Sequence, residues 1–364
     1  MRREDFTLRE PERIPSPALI LYKDRVLDNT RRAIDIAGGA DRLWPHVKSH
    51  KMDEMVRMQI DLGISRFKCA TIAELRMIAA CGAAHALMAY PLIGPSIGRF
   101  LDVAAAHPGT EFYAIGDSIE GMRMLSDAAA ARGMRIKLLL DINMGMNRTG
   151  LAIERIEEMA GAVADFAGIQ LIGLHCYDGH IRETEVPARA AAAQPALARV
   201  LRARDELQLP IVIAGGSPTL SVHAQAGVYL SPGTVFLWDY GYATRFPDLP
   251  FACAAAVMAR VISHPAEGLF TLDCGSKAIA ADPAGVRGVI AGYEDAQHQF
   301  QSEEHWVFRA AGDAPAIGTV LYIIPTHICP TSALYDEAII AEGGEILGTW
   351  TVSARARERM DEAR

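Results

Sequence analysis

The sequence lacks the features of a membrane or secreted protein. Its apolar stretches, such as residues 251–258, are far shorter than the roughly 20 residues that a membrane-spanning helix needs. The first five residues do not resemble the apolar core of a signal peptide. The six cysteines are scattered without a CxxC pair, which is typical of a reducing compartment. These absences predict a cytoplasmic protein without a membrane partner.

The chain also has fewer positively than negatively charged side chains. The chain has 36 Lys and Arg residues against 44 Asp and Glu residues, and its formal net charge is −8. No basic arm or lysine-rich stripe offsets this balance, so we expect no nucleic-acid partner. The 364 residues exceed one usual core, which predicts a large barrel or two domains.

Short β-type runs alternate with longer segments of helical period between about residues 18 and 240. Eight such runs occur, at residues 18–22, 43–47, 66–70, 86–90, 111–114, 135–141, 170–175 and 210–214. Thr71 and Glu74 form a capping box that predicts the start of one helix. Eight strand–helix units predict an α/β fold with a closed (β/α)8 barrel. An open doubly wound sheet is disfavoured because no GxGxxG follows the first run.

The pattern changes after about residue 246, where long helical periods are missing. Short β-type runs separated by Gly, Pro and Asp occur at residues 257–262, 269–272, 286–293, 305–308, 320–324 and 346–352. This pattern predicts a second, mostly antiparallel β domain. We therefore expect a barrel domain at residues 16–245 and a β domain at residues 246–364. Residues 1–15 are expected to belong to the β domain.

A lysine and a glycine pair lie at predicted ends of barrel strands, where barrel active sites are found. Lys48 follows the second β-type run and is placed to form an imine, although most lysines are simply surface charges. Gly215, Gly216 and Ser217 follow the last run and let a phosphate approach the N-terminus of the next helix. An ordinary turn with Ser217 as the N-cap is the alternative. A lysine and a phosphate site on one face predict pyridoxal 5′-phosphate (PLP).

Other polar side chains follow the same strand ends. Arg148 is a candidate partner for a cofactor oxygen or a substrate carboxylate, or it forms a helix-entry salt bridge. His175 is placed to stack on a cofactor, unless it is a buried core histidine. Tyr177 and His180 lie on the following loop, where a general base has room to act.

The β domain offers a candidate metal pair. His327 and Cys329 are two residues apart after a β-type run, so their side chains are expected on one side of the strand. Together they are able to bind one metal, and a thiolate ligand favours zinc. A buried cysteine beside an unrelated histidine is the alternative.

Five segments, in order along the chain, resemble one known family. They are PHVKSHK at residues 45–51, GMNRTG at 145–150, GGS at 215–217, SPGT at 231–234 and the His327–Cys329 pair. The first segment resembles the PHxKxHK sequence of the D-threonine aldolase and eukaryotic-type D-serine dehydratase family. That family belongs to the alanine-racemase-like, fold-type III PLP enzymes.

The resemblance implies roles for these residues. Lys48 is the imine lysine, and Arg148 is the partner near the cofactor oxygen. The other implied cofactor contacts are Tyr177, Gly215, Gly216, Ser217, Gly233 and Thr234. His327 and Cys329 are the implied ligands of a divalent metal, manganese or zinc, with magnesium as a further candidate. The resemblance also implies a homodimer.

The predicted reaction is the cleavage of a 3-hydroxy-D-amino acid to glycine and an aldehyde. His180, or otherwise His175, is the expected acceptor of the hydroxyl proton. The close alternative is a metal-dependent dehydratase that converts D-serine or 3-hydroxyaspartate to a keto acid and ammonia. A racemase ranks third, because Ser231 replaces the arginine of racemases and residues 273–277 lack their catalytic tyrosine. A PLP-binding protein without catalysis and a cofactor-free Schiff-base aldolase are the remaining alternatives.

Overall fold

The computed structural model describes residues 2–357, which form two compact units. The β unit contains residues 2–32, 49–52 and 234–355, and the barrel unit contains residues 33–48, 53–233 and 356–357. The two units therefore interleave along the chain, whereas the sequence predicts a barrel domain at residues 16–245 and a β domain at residues 246–364 with residues 1–15. Met1 and residues 358–364, which belong to the predicted β domain, lie outside the described residues.

The chain begins with strand β1 (Ala18–Tyr22) and helix α1 (Lys23–Ala37). Strand β1 lies in the β unit, where it pairs in parallel with residues 339–341 and antiparallel with residues 255–258. The prediction that residues 18–22 form the first barrel strand is wrong. The run is buried at four of its five positions, and such a continuous apolar pattern does not distinguish a barrel strand from a central sheet strand.

The barrel unit contains seven parallel strands, each paired with the next one in sequence. Its strands and helices are β2 (Arg66–Cys69), β3 (His85–Met88), β4 (Glu111–Gly116), β5 (Ile136–Asp141), β6 (Ile169–Cys176), β7 (Ile211–Ala214), β8 (Tyr229–Leu230), α2 (Asp53–Asp61), α3 (Ile72–Ala80), α4 (Pro95–Ala106), α5 (Ile119–Ala130), α6 (Ile156–Val163), α7 (Val186–Glu206) and α8 (Leu220–His223). Trp44, Tyr113 and Ile213 pack in its buried apolar core.

Residues 43–46 close the barrel between β8 and β2. Leu43 bridges Leu230, and His46 bridges Lys68, both in parallel. The amide of Trp44 donates to the carbonyl of Leu230, and the amide of Lys68 donates to the carbonyl of Pro45, both at 2.8 Å. The predicted (β/α)8 barrel is thus confirmed, but its first strand position is residues 43–46 and its last is β8.

The β unit is mostly antiparallel, as the sequence predicts. Its remaining elements are α9 (Tyr240–Arg245), β9 (Ala255–Ser263), β10 (Leu269–Leu272), β11 (Gly288–Ile290), β12 (Gln297–Gln301), β13 (Trp306–Arg309), β14 (Val320–Pro325), α10 (Ile328–Ser332), β15 (Glu337–Glu342) and β16 (Glu345–Thr351). Strand β9 pairs antiparallel with β1, β10 and β14. Trp306, Phe270 and Phe308 pack in the apolar core beside it.

The predicted capping box is present at the start of α3. The Glu74 amide donates to Thr71 Oγ1 at 3.2 Å, and the Ala70 amide donates to Glu74 Oε2 at 2.7 Å. We expect Thr71→Ala to lower the free energy of unfolding by about 1 kcal/mol because it leaves a helix-terminal amide without its acceptor. Urea denaturation measures this loss, and Thr71→Ser is the control that keeps the hydroxyl. Equal stability of the two variants would contradict a role for the cap.

Candidate active site

The ends of the barrel strands surround a cavity of about 720 Å³. Four residues singled out from the sequence line it together, namely Lys48, Arg148, His175 and Tyr177. Lys48 lies in a single 3-10 turn, Val47–Ser49, directly after the segment that closes the barrel. The cavity therefore brings together side chains from widely separated parts of the chain.

Three cations surround the ring of Tyr177. Lys48 Nζ lies 5.8 Å from the ring centroid, Lys68 Nζ 5.6 Å and Arg148 Cζ 5.1 Å. These distances are in the range of cation–π contacts, which stabilise each cation through the ring quadrupole. So many positive charges in one concave site favour an anionic ligand.

His175 is held by a buried carboxylate. Its Nδ1 lies 2.7 Å from Asp141 Oδ1, and Thr149 Oγ1 donates to Asp141 Oδ2 at 2.8 Å. Burial lowers the pKa of His175, which favours the neutral ring, against the opposing effect of Asp141. Its buried Nε2 has no hydrogen-bond partner among the described residues. When Nδ1 donates to Asp141, this nitrogen is an acceptor in the cavity wall.

His180 lies elsewhere on the loop after β6. It is exposed and is not part of the cavity wall. Its ring packs over Gly145, where a Cβ atom would come within 2.9 Å of His180 Nε2. The structure therefore brings His175, but not His180, to the cavity.

The glycine turn after β7 needs its glycines. Gly215 has a φ of +77°, and a Cβ atom there would lie 2.8 Å from His223 Cδ2. A Cβ atom on Gly216 would lie 3.1 Å from the ring of Tyr177. Without these side chains, the backbone of the turn packs closely against the ring of Tyr177. Residues 215–217 are buried and, like Gly233 and Thr234, are not among the residues that line the cavity.

The rest of this turn differs from the prediction. Helix α8 has four residues, and its N-cap is Thr219 rather than Ser217, so the glycine turn does not itself begin the helix. Ser217 Oγ instead accepts from the Gly233 amide at 3.3 Å. This bond ties the glycine turn to the loop that resembles the second phosphate segment.

A buried polar network supports the turn. Thr219 Oγ1 accepts from the Gly216 amide at 3.1 Å and donates to Asp178 Oδ1 at 2.8 Å. Asp178 Oδ2 lies 2.6 Å from His223 Nε2. Asp178 directly follows Tyr177, so the network links the aromatic ring to the turn. Sequence reasoning missed it because its members are far apart in the chain.

Lys68 is a second residue that sequence reasoning missed. Its Nζ donates to Ser231 Oγ at 2.6 Å, and burial, with the charge of Lys48, lowers its pKa to about 7. Lys68 lies inside β2, and the sequence pattern there predicts a barrel strand without indicating a functional side chain. A lysine at a buried strand position was the available signal.

The predicted metal pair lies in the β unit. Strand β14 ends at Pro325 and Cys329 lies in α10, so the predicted strand geometry of the pair is wrong. The two side chains nevertheless interact. Burial disfavours the charge of His327, but Cys329 and Asp282 outweigh this effect and raise its pKa to about 9. Burial acts against the Cys329 thiolate, but the hydrogen bond with His327 outweighs it and lowers the thiol pKa.

The surroundings of His327 and Cys329 orient the pair as metal ligands, but they supply no third ligand among the described residues. His327 Nδ1 lies 2.6 Å from Asp282 Oδ2, an arrangement that fixes the ring and leaves Nε2 for a metal. Cys329 Sγ contacts Ser49 Oγ at 3.2 Å and Thr234 Oγ1 at 3.4 Å. Thr234, implied as a phosphate contact, thus touches the thiol. No group of three or more metal-binding side chains occurs within residues 2–357, so the pair supplies two ligands.

Comparison with known proteins identifies the family to which the chain belongs. Residues 22–240 match the family model of the alanine racemase N-terminal domain, and residues 254–341 match that of the serine dehydratase domain. Since the first match spans more than half of the chain, the protein belongs to the alanine-racemase-like family of PLP enzymes. The resemblance stated from the sequence is confirmed.

No helix among the described residues is both long and apolar enough to cross a membrane.

Individual proteins similar to this chain include enzymes named for 3-hydroxy-amino acids. A D-threonine aldolase from Arthrobacter sp. is 27% identical, over 95% of this chain and 94% of its own. A D-threo-3-hydroxyaspartate dehydratase from Delftia sp. is 26% identical, over 93% and 97%. The crystal structure of D-threonine aldolase from Filomicrobium marinum is similar with a TM-score of 0.86 and 29% identity, covering 94% and 96%.

The histidine in the cavity wall makes the stability of the fold sensitive to pH. The folded-state pKa of His175 lies below its ordinary value of 6.5, so its contribution to stability is present above pH 6.5 and lost as the pH falls toward the folded-state value. We expect the free energy of unfolding to fall more steeply between pH 7 and pH 5 in the wild type than in His175→Gln. Denaturant titrations measure the slopes, with His305→Gln as an exposed control. Parallel curves for wild type and His175→Gln would contradict this effect.

Proposed function

We propose that the protein is a PLP- and metal-dependent lyase that cleaves a 3-hydroxy-D-amino acid into glycine and an aldehyde. One observation carries the proposal: Lys48, Lys68 and Arg148 gather over Tyr177, against the glycine turn at residues 215–217. This arrangement suits a flat, anionic ligand that is attached to a lysine. The relatives named as aldolases support the reaction class.

The residues present fit the cofactor. Lys48 supplies the amine that attaches it, and the glycine turn is the proposed place of its phosphate. The amides of Gly215, Gly216 and Gly233 donate to Cys176, Thr219 and Ser217 in this structure, so binding of the phosphate there would replace some of these bonds. Arg148 pairs with its phenolic oxygen or with the substrate carboxylate. The ring of Tyr177, which lines the cavity, offers an aromatic contact for its ring. When bound, PLP supplies an electron sink for the charge that develops at the substrate Cα.

The protein's own groups control the proton of the substrate hydroxyl. His175 is better placed than His180 to accept it, because His175 lines the cavity and Asp141 fixes its ring. His327 and Cys329 would hold the divalent ion, which supplies Lewis-acid chemistry at a substrate oxygen.

We retain a homodimer as part of the proposal, and light scattering in solution tests it.

A dehydratase is the second candidate. The match of residues 254–341 to the serine dehydratase domain favours it. In this reaction Lys48 would take the Cα proton, and the products would be a keto acid and ammonia. The same cofactor site serves both reactions.

Cofactor attachment at Lys48 is testable directly. We expect borohydride treatment of the PLP-loaded protein to add the reduced cofactor to the peptide that contains Lys48. Lys48→Arg keeps the charge but lacks a reactive amine, so it should lose both this adduct and the visible absorption band. Mass spectrometry and absorption spectra measure the effect, with Lys51→Arg as the control that keeps both. An undiminished adduct in Lys48→Arg would place the attachment at another lysine.

The products distinguish the two reactions. We expect D-threonine to give glycine and acetaldehyde, and we expect chelation, His327→Ala or Cys329→Ala to lower the rate at least about 100-fold through loss of a metal ligand. Chromatography of the products with D-threonine and D-serine measures the outcome, and metal analysis shows whether each variant still binds the ion. Ammonia and a keto acid from D-serine would favour the dehydratase. Full activity after exhaustive chelation would exclude a catalytic metal on this pair.

His175 and His180 are compared in the same assay. His175→Gln should lower the rate by about 100-fold or more, as expected when a general base is removed, whereas His180→Gln should have a smaller effect. A larger loss in His180→Gln would assign the proton acceptor to His180 instead.

A further inference from the structure

Lys68 is a buried lysine to which the proposed reaction assigns no contact with a particular atom of the cofactor or substrate. It is 2% exposed and lines the same cavity as Lys48. A buried ammonium group normally pairs with a carboxylate or loses its proton, because burial removes its hydration. The hydrogen bond of Lys68 Nζ goes to the neutral hydroxyl of Ser231 instead. Burial and the charge of Lys48 lower the pKa of Lys68 to about 7, against the favourable charges of Asp141 and Asp178.

The nearby acidic groups are already engaged. Asp141 binds His175 and Thr149, and Asp178 binds Thr219 and His223. An ammonium group has three N–H donors, and Ser231 uses one of them. Within residues 2–357, no carboxylate forms an ion pair with the Lys68 ammonium.

Ser231 has no donor left for a ligand. Its hydroxyl proton is donated to the carbonyl of Gly215 at 3.0 Å, and its oxygen accepts from Lys68. Ser231 thus fixes Lys68 beside the glycine turn. At this end of the cavity, the group able to donate to a ligand is Lys68 and not Ser231.

We propose that Lys68 donates a hydrogen bond to the ring nitrogen of PLP and holds that nitrogen unprotonated. The inference rests on the proposed function, in which Lys48 attaches the cofactor, the glycine turn binds its phosphate and Arg148 binds its phenolic oxygen. The ring nitrogen is then the polar atom of the cofactor without a partner. An unprotonated pyridine nitrogen accepts from an ammonium group, whereas a protonated one is itself a donor and is repelled by it.

The affinity of the protein for a modified cofactor tests this contact. The 1-deaza analogue of PLP has a carbon atom in place of the ring nitrogen and offers no acceptor there. We expect the wild-type apoprotein to bind PLP about tenfold more tightly than the analogue, as one hydrogen bond to a charged donor implies. Lys68→Met keeps much of the side-chain volume without a donor and should bind the two equally. Lys277→Met, an exposed lysine in the β unit, is the control that keeps the preference.

A second measurement reports the protonation state directly. Nitrogen NMR of the protein loaded with ring-¹⁵N-labelled PLP should show the unprotonated pyridine signal in the wild type at neutral pH. In Lys68→Met the signal should move toward that of pyridinium, because the repelling charge is gone. If Lys68→Met does not fold, Lys68→Gln keeps a neutral donor and should retain part of the preference for PLP.

The outcomes separate this inference from the proposed function. If the cofactor does not attach to Lys48 in the wild type, the proposed function fails. If it attaches but the wild type binds PLP and the analogue equally, or shows a pyridinium signal, the role of Lys68 fails alone. A preference that persists unchanged in Lys68→Met likewise overturns the role of Lys68.

Discussion

Closure of the barrel by residues 43–46 is the constraint on which the site depends. This short segment bonds to β8 on one side and to β2 on the other. Lys48 lies two residues beyond this segment, Ser231 follows β8 and Lys68 lies within β2, so closure brings three distant parts of the sequence together beside the cavity. If the segment paired with only one neighbour, the hydrogen bond between Lys68 and Ser231 would have no structural support.

The electrostatics of the cavity follow from this geometry. Lys48, Lys68 and Arg148 repel one another, and burial adds a desolvation cost for Lys68. The aromatic face of Tyr177 and the hydroxyl of Ser231 offset part of this cost. An anionic ligand would offset more of it, so its binding should also stabilise the fold. The charges that make the site unfavourable alone are therefore those that would favour an anionic ligand.

Sequence patterns predicted most of the architecture, and the misses have physical reasons. The capping box at Thr71 was readable because it depends on two nearby residues. Strand β1 was misassigned because an apolar run of five residues suits either unit, and β8 was missed because two residues carry no periodicity. Lys68 and Ser231 are 163 positions apart, so their bond depends on the closed barrel. The His327–Cys329 pair was found although the strand geometry assumed for it is wrong.

The proposed function assigns different tasks to the two units, and relatives named as aldolases and as a dehydratase are similar to nearly the whole of this chain. The barrel unit supplies the lysine, the cations and the glycine turn, which suit the binding of one cofactor whatever bond is broken. The choice between breaking Cα–Cβ and removing the Cα proton depends instead on which group accepts a proton and which oxygen is polarised. Under the proposed function, those tasks belong to His175 and to the His327–Cys329 pair, whereas the cofactor contacts belong to the barrel unit. Both candidate reactions are therefore compatible with the same cofactor site.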